Sequence, residues 1–178
     1  MFSQNKIKLD EKQEKLFIEN IYNEIKTLIK NKGIRVVDVT WRLKSIDSIQ
    51  NKMKYDKVSS IEKIYDIRGI RIICNNYSDC YNVLNTIHKK WTHIPSKFDD
   101  YKNPKESGYS SLQTVIYYKE KPVEIQITTN ELYKKNEEEH EHYKRIKYNK
   151  IIKNNQNTKI IYKIFNFFSK KFFSENNN

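Results

Sequence analysis

Apolar residues recur every three or four positions over residues 11–31: Leu16, Ile18, Ile21, Tyr22, Ile25, Leu28 and Ile29. That spacing predicts a helix with one buried stripe, closed by Asn31-Lys32-Gly33. The pattern then switches to the β-branched run IRVVDVT at 34–40, which has strand composition. SIDSIQNKMK at 45–54 predicts a short helix with Ser45 as its cap. YDIRGIRIIC at 65–74 predicts a second strand. SDCYNVLNTIHKKW at 78–91 predicts a helix capped by Ser78 or Asp79, with Tyr81, Leu84, Ile87, His88 and Trp91 on one face. Residues 92–110 hold two of the three prolines and a glycine, the mark of a long functional loop. LQTVIYY and VEIQIT alternate on either side of KEKP, which predicts a hairpin. ELYKKNEEEHEHYKRIKY, 131–148, reads as a polar helix.

This order predicts an α+β fold, a mixed β-sheet flanked by helices. It divides the chain into an N-terminal helix, 1–33, a sheet domain, 34–150, and a basic, aromatic tail, 151–178.

The second strand is odd. Asp66, Arg68 and Arg71 interrupt an isoleucine run, and a sheet core excludes such residues. They belong either to an exposed edge or structural ion pair, or to a site where charges meet a ligand. By the two-residue period Arg68 points to the face opposite Arg71, and it reads as structural or surface.

Composition narrows the choice. The net charge of +12 favours an anionic partner, although a Lys- and Asn-rich chain can also reflect coding bias. The two cysteines, Cys74 and Cys80, have no Cys-x-x-Cys spacing, so buried thiols are expected rather than zinc. The charged N-terminus lacks a signal core, and no window reaches the roughly 18 apolar residues of a membrane span. A cytoplasmic protein is expected. With only Gly33, Gly69 and Gly108, the chain has neither a P-loop nor a Rossmann loop. Phosphates must be held by side chains. Arg42, Lys44, Lys52 and Arg71 are available, and Arg42 and Lys44 project on one side by strand parity. Asp66 and Glu124, read as lying on neighbouring strands, form a plausible Mg2+ site completed by substrate phosphates. Glu124 shares a face with Gln126.

WRLKS with SIQNK, IYDIRGIRII, DCYNVLNTIHKKW, DYKNPKESGYSSL and VEIQITT occur in that order. Together they resemble the RelA/SpoT nucleotidyltransferase domain, over roughly residues 34–148, with KESGY and EEHEHYK closest to the small alarmone synthetases. The resemblance implies the RelA/SpoT synthetase fold and transfer of the β,γ-pyrophosphate of ATP to the 3′-hydroxyl of GDP or GTP. It implies Asp66 and Glu124 as catalytic, Mg2+-binding carboxylates. Arg42 and Arg71 would bracket adenine, and Lys44 and Lys52 would contact phosphates. On the acceptor side it implies Tyr109 stacking on guanine, with Lys105, Gln113, Gln126 and His140 nearby, although His140 also fits a solvated helix face.

Three positions depart from the family's pattern, all in the acceptor half. Gln113 stands where the family usually has His, Thr128 where it has Arg, and Ser110 where it often has Arg or Gln. Two alternatives therefore stand beside alarmone synthesis: a toxin-like relative acting on tRNA 3′ ends or an adenine nucleotide, and an inactive RNA-binding remnant. The tail KIIYKIFNFFSKKFF, 159–173, carries more apolar surface than a free segment should expose. It is expected to mediate self-association, with docking on its own domain or on an anionic membrane surface as alternatives.

Overall fold

The structure, a computed structural model, describes residues 9–55, 58, 60–100 and 111–137. The chain divides into two units, Met1–Asn136 and Glu137–Asn178. The fold below is that of the first.

Helix α1 spans Glu11–Asn31, matching the predicted range. Its N-cap Asp10 accepts from the backbone N–H groups of Lys12 and Gln13, and Glu11 and Glu14 sit favourably in the first turn. Gly33, at φ +67°, takes the left-handed turn that closes the helix. Strand β1 is Val36–Leu43, shifted along from the expected 34–40. Helix α2, Ile46–Tyr55, starts after Ser45, whose hydroxyl accepts from the Ser48 N–H at 3.3 Å, as expected of a cap.

Strand β2 is Arg68–Cys74, three residues shorter at its start than the predicted strand. Asp66 therefore lies in a turn ahead of the strand. Helix α3, Tyr77–Lys90, is capped by Asn76, which accepts from the Asp79 N–H, not by Ser78 or Asp79. Strands β3, Leu112–Tyr118, and β4, Lys121–Thr129, form the predicted hairpin with a tighter turn. Lys119 and Glu120 both have positive φ, +45° and +65°, which a two-residue turn matching strand twist requires. Pro122 is tolerated because β2 begins pairing with β4 only at Glu124. A helix α4 follows from residue 130 to the end of this unit at 136.

The sheet order is β1-β2-β4-β3. β1 and β2 are antiparallel, β2 and β4 parallel, and β4 and β3 antiparallel. A parallel neighbour needs a crossover, and α3 lies within that connection. One sheet face is apolar, with Val39, Ile70, Ile72, Ile116, Ile125 and Ile127 all buried. Against it pack Ile18, Ile21, Ile25 and Ile29 of α1, and Cys80, Val83, Leu84 and Ile87 of α3. Each such side chain contributes about 2 kcal/mol by leaving water. The N-terminal helix thus shares its core with the sheet. Leu16, though on the predicted stripe, is exposed.

Arg68 points into this helix-covered face, as strand parity anticipated, and is buried. Its Nε donates to Glu14 Oε2 at 2.5 Å, while Lys121 Nζ donates to Glu14 Oε1 at 2.9 Å. The Phe17 ring lies 5.2 Å from both cations. Burial pushes the Glu14 carboxyl up, but hydrogen bonds and charge from Arg68 and Lys121 outweigh it and hold it below its ordinary value. So Arg68 is a structural charge that pins α1 to the starts of β2 and β4.

Glu14→Ala leaves Arg68 buried without its carboxylate, and should cost about 3 kcal/mol in urea unfolding at pH 7. A depressed carboxyl stabilises above its unfolded pKa and loses that contribution as pH falls through its folded value. The gap between wild type and variant should therefore narrow below about pH 4. A loss under about 1 kcal/mol at pH 7 would show that the pair does not anchor the helix.

Candidate active site

The opposite sheet face carries the polar residues. Register places them in two rows. Arg42 pairs with Gly69, and Gly69 with Glu124; beside them Thr40 pairs with Arg71, Arg71 with Gln126, and Gln126 with Gln113. Gly69 is the flat centre. A Cβ there would lie 3.2 Å from Arg42 Nε and 3.3 Å from Arg42 Cγ. Its absence lets the Arg42 side chain lie across β2 and bring Nη2 to 3.5 Å from Glu124 Oε2. Arg42 is half exposed, so this pair stabilises by less than about 1 kcal/mol, and the guanidinium is free to exchange partners at little cost. A cleft of about 140 Å³ opens between Thr40, Arg42, Gly69, Arg71 and Gln126.

Arg71, on the far side of this cleft, donates from Nε to Gln126 Oε1 at 3.4 Å. Its guanidinium also sits 5.2 Å from the Tyr133 ring centre. Sequence reading missed Tyr133. Its signal was an aromatic in the first turn after the strand that carries Glu124 and Gln126.

Asp66 occupies the turn before β2. The Lys44 N–H donates to the Ile67 carbonyl at 2.8 Å, continuing the β1–β2 ladder one step and bringing the Lys44 side chain to the acid. Asp66 Oδ2 accepts from Lys44 Nζ at 2.8 Å and from Lys52 Nζ of α2 at 3.0 Å. Asp66 Oδ1 is buried and has no hydrogen-bond partner among the described residues. A buried carboxylate oxygen without a partner is costly unless something else completes it. Burial pushes the Asp66 carboxyl up, but the two ammonium groups outweigh it and hold it below its ordinary value. Arg42 and Lys44, expected on one side, thus serve different acids, because Lys44 lies beyond the end of the strand.

Glu124 is buried on β4. Its Oε1 accepts from Gln113 Nε2, and its Oε2 accepts from Gln126 Nε2 at 2.9 Å. Gln113 and Gln126, assigned from the resemblance to the acceptor, therefore both touch this carboxylate. No cluster of three or more His, Cys, Asp or Glu that could hold a metal occurs among the described residues. A cation here would draw on Asp66 and Glu124 and take its remaining oxygens from a ligand, the usual preference of Mg2+. Lys105, Tyr109 and His140 lie outside the described residues.

Residues 41–153 match the family described as "Region found in RelA / SpoT proteins", and the chain belongs to that family. It is 36% identical over 127 residues to the chloroplastic probable GTP diphosphokinase RSH3 of Arabidopsis thaliana, covering 70% of this chain and 18% of that protein. It is 37% identical over 123 residues to the GTP pyrophosphokinase of Photobacterium angustum, covering 68% of this chain and 16% of that protein. The chain thus spans less than a fifth of the length of these relatives.

Solved structures match along nearly the whole length. The small alarmone synthetase 1 from Bacillus subtilis aligns at 28% identity and a TM-score of 0.60, covering 86% of this chain and 87% of that one. The small alarmone synthetase 2 from the same organism aligns at 27% identity and a TM-score of 0.62, covering 93% and 97%. The expected mixed sheet flanked by helices is the fold observed.

Lys44→Met should raise the pH at which the Asp66 carboxyl titrates, because burial would then be opposed by Lys52 alone. Carboxyl chemical shifts followed by NMR measure this directly. An unchanged titration would mean that Lys44 does not hold the acid.

Proposed function

We propose that this chain transfers the β,γ-pyrophosphate of ATP to the 3′-hydroxyl of GDP or GTP, making (p)ppGpp and releasing AMP. The observation that carries this reading is Asp66, in the turn ahead of β2: one oxygen is held by two lysines, and the other is buried with no hydrogen-bond partner among the described residues. Family relatives support it. Similar proteins are named GTP diphosphokinase or GTP pyrophosphokinase. The small alarmone synthetase 1 from Bacillus subtilis has been crystallised bound to its product pppGpp, and bound to AMPCPP.

Each residue then has a task. Arg42 and Arg71 both line the cleft, from β1 and β2, and would bracket adenine, because guanidinium planes stack on a flat base better than ammonium groups do. Lys44 and Lys52 leave Asp66 for the β- and γ-phosphates, exchanging one anion for another. Asp66 and Glu124 are the residues that would hold Mg2+. When bound, Mg2+ neutralises charge on the transferred phosphates and the leaving group. Glu124 receives the proton of the acceptor's 3′-hydroxyl as that oxygen bonds to the β-phosphorus. The bond from the β-phosphorus to the α,β-bridging oxygen breaks, and that oxygen leaves with AMP. Tyr109 stacks on guanine, and Lys105 and His140 complete the acceptor side, as the family motifs imply.

The same proposal includes a cytoplasmic location and assembly through the tail at 151–178. No described helix is long and apolar enough to cross a membrane.

Purified protein given labelled ATP and Mg2+, with GDP, GTP, ATP or bulk tRNA in turn, should label GDP or GTP. Label on tRNA or on an adenine nucleotide alone would replace the acceptor, and no label on any would point to a binding protein. Asp66→Asn and Glu124→Gln should each lower kcat by about a hundredfold or more while the melting temperature stays near wild type. Near-normal turnover in either variant would remove that carboxylate from the mechanism.

A further inference from the structure

Glu124 and Asp66 keep different company. Asp66 is held by cations, which a phosphate can draw away. Glu124 is held mainly by neutral amides, one from each of two neighbouring strands. Gln113 of β3 donates to Oε1, and Gln126 of β4 donates to Oε2 at 2.9 Å. Arg42 adds a long contact of 3.5 Å to Oε2. The carboxylate therefore has a donor on each oxygen, and its plane is fixed by two elements of the sheet.

The orientation of Gln126 is itself determined. Its Oε1 accepts from Arg71 Nε at 3.4 Å, while its Nε2 donates to Glu124. Arginine can only donate and an ionised carboxylate can only accept, so one amide orientation satisfies both neighbours. Turning it over would set a donor against Arg71 and an oxygen against Glu124. The side chains Arg71, Gln126, Glu124 and Gln113 thus form one continuous chain across β2, β4 and β3.

We propose that Gln113 and Gln126 are positioning residues, an amide clamp that orients Glu124, with Gln126 tying the clamp to Arg71 in the cleft. This rests on the proposed reaction for its kinetic consequence, but not for its geometry. It gives position 113 a task that a neutral amide performs. An amide supplies a donor without adding a second positive charge beside the Arg42 contact at 3.5 Å. It also links the two halves of the site. A base seated against Arg71 stiffens the anchor of Gln126, and through it the carboxylate that faces the acceptor.

Two measurements test the clamp. In nucleotide-free protein labelled with 15N in its glutamine side chains, Gln113→Leu and Gln126→Leu assign the two amide signals. Glu124→Ala should then move both. If both stay where they are, the clamp does not exist in solution, whatever reaction the protein catalyses.

In turnover, Gln113→Leu should lower kcat about tenfold or more while acceptor KM stays within about twofold, the effect expected when a supporting shell is removed. Gln113→His, which retains an N–H donor, should recover most of the loss. A rise in acceptor KM with kcat preserved would make Gln113 a direct acceptor contact and overturn the positioning role. If the wild-type protein labels neither GDP nor GTP, the proposed reaction falls, and the amide signals still decide the clamp.

Discussion

The parallel pairing of β2 with β4 is the constraint on which the site depends. It sets Gly69 beside Glu124 and Arg71 beside Gln126, although the partners in each pair are 55 residues apart in sequence. A parallel neighbour cannot be reached through a tight turn, so the chain must leave the sheet and return. Helix α3 lies on that path and covers the apolar face together with α1. The same connection frees the opposite face for charged and amide side chains. One packing requirement therefore separates core from site: isoleucines at alternate positions of β2 go to the helices, and Gly69 and Arg71 go to the cleft.

Charge on this sheet is placed according to what must move. Arg68 and Glu14 are buried, close and supported by Lys121, and breaking them leaves an uncompensated charge. That cluster is fixed architecture. Arg42 is half exposed and only 3.5 Å from Glu124, and Lys52 is partly exposed against Asp66. The Arg42 contact can be traded at little cost, whereas the Lys44 and Lys52 contacts, at 2.8 and 3.0 Å, can be exchanged only for another anion, the phosphate that the proposed reaction brings. The positive net charge of the chain is consistent with an anionic ligand, but it is the few cations gathered around the cleft that give that charge a direction.

Helix and strand types were readable because their periods differ. The spacing of Ile18, Ile21, Ile25 and Ile29 could only bury as a helix stripe, and all four are buried. Element ends were less legible. Tyr65 and Ile67 looked like strand, yet the strand begins at Arg68, because β1 ends at Leu43 and only the Lys44 N–H to Ile67 carbonyl bond extends the ladder beyond it. The α3 cap is Asn76 rather than Ser78 or Asp79, since each of these could satisfy a free N–H and sequence does not rank them. The hairpin turn held no glycine to mark its positive-φ positions.

The sequence by itself determined which residue types were present for the chemistry and in what order. An acid and an arginine in an isoleucine run, a glutamate alternating with isoleucine, and paired basic residues after the first strand are all legible in the linear order of residues. The sequence also determined that Arg68 faces away from Arg71's partners, because strand parity is local. Partner choice was decided only by the tertiary structure. Whether Arg68 met water or Glu14, whether Lys44 served Glu124 or Asp66, and whether Gln113 touched Glu124 depended on register between strands and on where α1 packs. Those contacts join residues 11 to 54 positions apart, and no local pattern encodes them. Hydrophobic periodicity tells a segment which face to bury; only the assembled sheet tells a polar side chain what it will find on the other face.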